Sequence, residues 1–187
     1  MAAESAPARC CGMQVDEILF SIGDYRARRL RPADLPLVRT FNQECSDFFM
    51  LQNGTPPKET EAHEIFTDVP PGRKIEDKLL IGVFDANHRL AGLLDVQRDY
   101  RIKFEWWIGL MLLNPTSRRT GLGTRIHEAF ETYALKHGAQ RLLLAVLEEN
   151  TGAHRFWLKL GYRAVKSHPP KRYGCRAHAC TEYEKTL

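Results

Sequence analysis

Apolar positions recur along this chain in two rhythms, and the switches between them mark its elements. Residues 25–30 read as a first strand. After Pro32, residues 33–43 carry Leu35, Leu37, Val38 and Phe41 at helical spacing, with proline near the start, where it is tolerated. Residues 45–54 read as an aromatic loop around Phe48 and Phe49. A second helix is predicted over 57–68, stopped by Pro70, Pro71 and Gly72. Strands follow at 79–85, 90–100 and 106–113, the last closed by Asn114 and Pro115. Residues 123–136 place Ile126, Phe130, Tyr133 and Ala134 on one helical stripe, and Gly138 ends it. A buried strand at 142–147 precedes a helix over 151–160, whose Ala153, Phe156, Trp157 and Leu160 fall at i, i+3, i+4 and i+7. Weaker signals suggest strands at 162–165 and 179–187. Residues 1–22 are aperiodic and read as a flexible N-terminal tail before a single domain, 23–187. This order implies an α+β (mixed α/β) domain of about seven strands and about four helices.

Composition narrows the class. The length, 187 residues, suits one domain, and 43% hydrophobic with 27% charged residues rules out wholesale disorder. A net charge of +4 is compatible with a phosphorylated ligand and too small to argue for nucleic acid. No apolar run approaches the roughly 18 residues of a membrane span, and no secretory signal is evident. The 5 cysteines are an odd number without a C-x-x-C pair, which points to a reduced, cytoplasmic protein. His168, Cys175, His178 and Cys180 match no standard zinc spacing, so no metal is expected.

The richest chemistry lies between the strand ending at Leu113 and the helix that follows. Gly121 and Gly123 allow a tight turn and close backbone approach, and the free N–H groups opening the helix make an anion site. Arg118 and Arg119 are expected to bring two fixed positive charges to it. Ile126 stands where a dinucleotide fingerprint needs its third glycine, and no Walker Gly-Lys-Ser/Thr occurs, so NAD and ATP are disfavoured.

Arg118-Arg-Thr-Gly121-Leu-Gly123 resembles the R/Q-x-x-G-x-G/A signature of the GNAT superfamily of acyl-CoA-dependent N-acetyltransferases. Asn150-Thr-Gly-Ala153-His-Arg-Phe156-Trp157-Leu-Lys-Leu-Gly161-Tyr162 is similar to that family's second block, and the two are separated by the helix and strand the fold requires. The resemblance spans about residues 25–187. It implies a GNAT-like central mixed sheet, and acetyl-CoA as cosubstrate with no metal. It also implies that Arg118, Arg119, Thr120, Gly121, Leu122, Gly123 and Thr124 hold the pyrophosphate, mostly through backbone N–H. Met111, Leu112 and Leu113 would splay from the neighbouring strand and lend backbone groups to the pantetheine. The Leu113 N–H would face the thioester carbonyl as an oxyanion donor. Asn150 would reach the pantetheine amide, with Phe156 and Trp157 beside the cofactor. Many members place a tyrosine at the position of Trp157 as general acid. Indole cannot serve, although a thiolate of pKa near 8.5 leaves tolerably without one. Trp157 is therefore either a cofactor wall or core.

The acceptor side needs a base, because an amine is mostly protonated at neutral pH. Alternation over 90–100 puts Asp95, Gln97 and Asp99 on one face, and Glu105, Trp107, Gly109, Met111 and Leu113 share a face of the next strand. With the hairpin turn near residue 102, Asp95 falls opposite Gly109, roughly 13 Å from Leu113, against roughly 26 Å for Glu105. Asp95 is thus the preferred base and Glu105 the second choice, with a solvated strand face as the alternative. Asp47, Phe48 and Phe49 are the candidate acceptor pocket for a small cationic amine, or caps on the core. The expected function is direct acetyl transfer to a primary amine of a small molecule or peptide. The competing reading is a catalytically silent acyl-CoA-binding sensor. Neither involves nucleic acid or a membrane, and a homodimer stays open.

Overall fold

The computed structural model describes residues 17–187. An 8-stranded sheet organises them, in the order β1-β2-β3-β4-β5-β6-β8-β7. The strands are β1 (Ile18–Ile22), β2 (Tyr25–Arg29), β3 (Lys78–Phe84), β4 (Leu90–Gln97), β5 (Glu105–Leu113), β6 (Arg141–Leu147), β7 (Arg163–Tyr173) and β8 (Arg176–Thr186). Neighbours pair antiparallel except β5 and β6, which run parallel. On one face α4 (Leu122–Lys136) and α5 (Thr151–Lys159) bury Ile126, Phe130 and Trp157 against Leu94, Val96, Trp106 and Ile108. On the other, α1 (Leu35–Glu44), α2 (Ser46–Asn53) and α3 (Glu59–Thr67) bury Val38, Phe41, Phe49 and Ala62 against Leu80, Leu93 and Leu112.

The mixed α+β architecture matches the sequence reading, and the differences are local. Residues Ile18–Ile22, placed in the tail, form β1 and pair with β2. The expected aromatic loop is the helix α2, begun one residue after α1's cap at Cys45 and closed by left-handed Gly54. The last two strands are far longer than expected and form a hairpin whose outer member, β7, is the sheet's edge and carries Pro169 and Pro170 at a register shift. The described residues therefore hold one strand and one helix more than the sequence pattern suggests.

The decisive correction lies in β5. Asp95 pairs with Leu110 and Val96 with Ile108, so Gly109 is an extra, bulged residue. A bulge reverses side-chain parity. Trp106 and Ile108 pack toward α4, and after Gly109 it is Met111 and Leu113 that do so. Glu105 and Trp107 thus do not share a face with Met111 and Leu113, as plain alternation suggests. Asp99 also leaves the expected carboxylate row. It adopts φ 50° in the turn, and its side chain accepts the Phe104 N–H at 2.7 Å.

Candidate functional site

Strands β5 and β6 pair only from Glu105↔Arg141 to Ile108↔Leu144. Beyond that point β5 stays with β4 up to Leu113↔Gly92, and β6 stays with β8 up to Leu147↔Cys180. The strands open like a V, and the gap holds a cavity of about 300 Å³. Gly109, Met111, Ala145, Asn150, Phe48 and Tyr173 are among its walls.

On the β5 side of this gap the end of the strand turns backbone groups away from β4. Asn114 donates its N–H to Ala91 O at 3.0 Å, which makes 91 and 114 a hydrogen-bonded antiparallel pair. Gly92 and Leu113 are then the non-hydrogen-bonded pair, so the Leu113 N–H and C=O both point away from β4, toward the space β6 has left. The Leu113 carbonyl accepts from Arg118 Nε at 2.9 Å and from Cys45 Sγ at 3.5 Å, in accord with that direction.

The glycine loop follows directly. Asn114 stabilises a short 3₁₀ turn by accepting the Ser117 N–H at 3.0 Å. Arg119 (φ 64°) and Gly121 (φ 80°) then take left-handed conformations that reverse the chain into α4. Gly121 caps α4 without a side-chain bond, leaving first-turn amides for a ligand; the Leu122 N–H finds the Thr120 hydroxyl at 3.3 Å. A Cβ at Gly121 would meet no atom within 4 Å, so its surroundings are open. The ring of Phe156 lies 3.5 Å from where a Gly123 Cβ would stand, so α5 backs this helix start.

Arg118 reaches from the loop toward α2. Its guanidinium forms a fork with Asp47, whose Oδ1 lies 3.0 Å from Nη2. Arg118 holds the Asp47 carboxyl below its ordinary range, and Asp47 in turn raises Arg118. Asp47 is thus tied to a residue of the loop, and both partners stay partly exposed. Phe49 is buried with Phe41 in the α1–α3 core, which leaves Phe48 as the aromatic of this segment that reaches the cavity.

Asp95 opens onto a second cavity of about 170 Å³ that shares Trp107 and Gly109 with the first. Its Oδ1 lies 2.6 Å from Lys78 Nζ, which also donates to Asp68 O at 2.9 Å. Burial pushes the Asp95 carboxyl up, and the Lys78 charge opposes that rise. Glu105 is buried at the far end of β5, where Oε2 lies 3.5 Å from Arg141 and Oε1 has no partner among the described residues. It lines neither cavity.

Asn150 caps α5 by accepting the Ala153 N–H at 3.1 Å and lines the gap. Trp157 is both things the sequence leaves open. It is 6% exposed, stacked edge-on against His127, Phe156 and Tyr162, and it also reaches the cavity wall. Sequence reading misses Gln52, Tyr173 and Cys180, which line the cavity from α2 and the β7–β8 hairpin. The hairpin tip grips the end of α2: Leu51, Gln52 and Asn53 carbonyls accept from Arg176 at 3.3 Å, His178 Nε2 at 3.0 Å and the Cys175 N–H at 2.9 Å. His178 Nδ1 lies 2.8 Å from Glu149 Oε2, and His168 Nε2 lies 2.9 Å from Glu182 Oε2. Among the described residues no group of His, Cys, Asp or Glu is arranged to hold a metal.

Comparison with known proteins bears on this arrangement. The model of the acetyltransferase (GNAT) family matches residues 39–162. No curated protein matches the chain. Among solved structures, a GCN5-related N-acetyltransferase from Brucella melitensis superposes with TM-score 0.70 at 18% identity, covering 92% of this chain and 79% of that one. An acetyltransferase from Thermus thermophilus gives 0.69 at 21% identity, covering 89% and 99%. The spermidine N-acetyltransferase of Vibrio cholerae, solved in complex with CoA and spermine, gives 0.67 at 16%, covering 88% and 96%. At these identities the likeness is one of fold.

Proposed function

Because the chain belongs to the GNAT acetyltransferase family, we propose that it moves an acetyl group from acetyl-CoA directly to a primary amine of a small molecule or peptide. The observation that carries this reading is the V between β5 and β6, with unpaired strand backbone on one side and the start of α4 at its mouth. The first-turn amides of α4, from Leu122 to Thr124, would hold the pyrophosphate together with Thr120, Gly121 and Arg119. Backbone groups of 111–113 and the Asn150 side chain would align the pantetheine arm, and Phe156 and Trp157 would back it. The Leu113 N–H, pointing into the gap, would donate to the carbonyl oxygen where negative charge develops.

Acetyl-CoA supplies an activated acyl group and a thiolate that leaves without a strong acid, in keeping with the indole at Trp157. The C–N bond forms as the C–S bond breaks. The electron pair goes to sulfur, and the proton lost by the amine ends there. Asp95 would take that proton first, directly or through one water; it lines the cavity that meets the V at the Gly109 bulge.

The test is amine-dependent thiol release from acetyl-CoA. Asp95→Asn should lower turnover near pH 7 by about 10²–10⁴-fold, with recovery at higher pH as free amine accumulates, while CoA affinity holds. Glu105→Gln should cost less. Tight CoA binding with no thiol release for any amine would favour the sensor reading instead.

A further inference from the structure

The 300 Å³ cavity passes through the opened sheet: Asn150, Ala153 and Trp157 line it from the α5 side, where the pantetheine arm is placed, and Phe48 and Gln52 line it from the α2 side, which is left for the acceptor. Among the described residues no Asp, Glu, Lys or Arg contributes to its wall. Instead Phe48 from α2, Trp107 from β5 and Tyr173 from β7 present half-buried rings to it. Four carboxylates near the cavity have partners. Asp47 forks with Arg118, Asp95 pairs with Lys78, Glu182 takes both Arg101 nitrogens at 2.7 Å, and Glu149 faces His178. A second ammonium group held inside this cavity would shed its water with no anionic partner on the wall, Asp68 lying on the neighbouring cavity instead.

The Gly109 bulge fixes where a reacting nitrogen fits. Gly109 is exposed, and an atom at the position of its missing Cβ would lie 3.7 Å from both Asp95 Oδ2 and Trp107 Cδ1. One point therefore touches the carboxylate and the indole edge together. Trp107 divides the two cavities, and Tyr100 covers part of its ring at 4.8 Å between centroids. A ligand at the bulge has the carboxylate on one side and the aromatic walls on the other.

We propose that the acceptor is an arylalkylamine: an aromatic ring seated among Phe48, Trp107 and Tyr173, with one short arm carrying a primary amine to the Gly109 bulge. The assignment rests on the acetyltransferase reading above. Ring–ring contact supplies affinity without charge. The apolar walls also favour the uncharged amine, the form with a lone pair to attack. The amine nitrogen bonds the acetyl carbon as the C–S bond breaks, yielding an aryl-substituted amide and the free thiol of CoA.

The experiment compares 2-phenylethylamine, spermidine and a lysine-bearing peptide in thiol release from acetyl-CoA. CoA affinity is measured in parallel by calorimetry. Phenylethylamine should show kcat/KM at least about tenfold above the other two. Phe48→Ala should raise its KM about tenfold and leave the KM for acetyl-CoA unchanged, and Phe48→Tyr should restore it. An unchanged CoA affinity shows that a weakened variant is folded. Preference for spermidine or the peptide, or a Phe48→Ala enzyme with normal KM for phenylethylamine, would overturn the assignment and leave the acetyltransferase reading standing. Failure to bind CoA, or no release with any amine, would overturn both.

Discussion

His127 lies wholly inside the α4 side of the core, with no exposed side-chain surface. Trp157 and Tyr162 pack edge-on against its ring, and Tyr162 Oη lies 2.9 Å from Nε2. Burial pushes the Tyr162 phenol up, so it stays protonated beside the histidine. The same burial pushes His127 down to about 4 from 6.5. Between those values the unfolded chain binds the proton and the folded one does not, so stability rises with pH through this window. On acidification from 6.5 to 4 the fold should lose on the order of 3 kcal/mol through this one residue. Urea unfolding at a series of pH values tests the effect. His127→Asn should lower stability at pH 7 and flatten the slope between pH 4 and 6.5. An unchanged slope would show that the ring is protonated where it sits. The sequence gives no warning of this residue, because a histidine beside a helical apolar stripe reads as surface until the helix's rotation is known.

At the scale of elements, the grip of the β7–β8 hairpin on α2 is the feature with most consequence for the site. The final carbonyls of a helix lack partners in the helix itself. Here the hairpin supplies them at three successive residues, and a Cβ on Gly174 would come within 2.8 Å of Asn53 O. This grip holds Phe48 and Gln52 over the cavity opposite Tyr173. His178→Ala leaves the Gln52 carbonyl without its donor, which should cost about 1–3 kcal/mol in denaturant unfolding. It should also raise the KM for the amine more than the KM for acetyl-CoA. Equal changes in both would mean that the hairpin does not position the acceptor wall. None of this could be read in advance. In α2 the apolar residues Phe48, Phe49, Met50 and Leu51 run consecutively rather than at helical spacing, so the segment resembles a loop. Strands β7 and β8 carry polar residues on both faces and lose the alternation that marks a strand. The longer apolar strands and α4 and α5 have one clean rhythm each, and these were legible.

For the whole molecule, the glycine turn into α4 was legible because it is local: its glycines, their spacing and the helix after them are contiguous. The proposed acceptor side is assembled from β3, β4, β5, α2 and the hairpin, and one bulged glycine reverses the parity on which a count along β5 depends. Binding at the V should be felt throughout the sheet that forms it. CoA at about 100 times its dissociation constant should stabilise the protein by about 2.7 kcal/mol. For a domain of this size that is a rise in Tm of roughly 5–10 °C by scanning calorimetry. No rise at saturating CoA would mean that the folded protein has no site for it.

The outer border of the sheet has a consequence in concentrated solution. A border strand with free amides and carbonyls can serve as a template for another chain. Along β7, Pro169 and Pro170 remove two donors in a row at a register shift, and Arg163, Lys166, Lys171 and Arg172 surround them with positive charge. A second molecule approaching this border meets a broken hydrogen-bonding pattern and a like-charged surface. The long, exposed hairpin that grips the end of α2 is therefore a poor seed for growing the sheet from one molecule into the next.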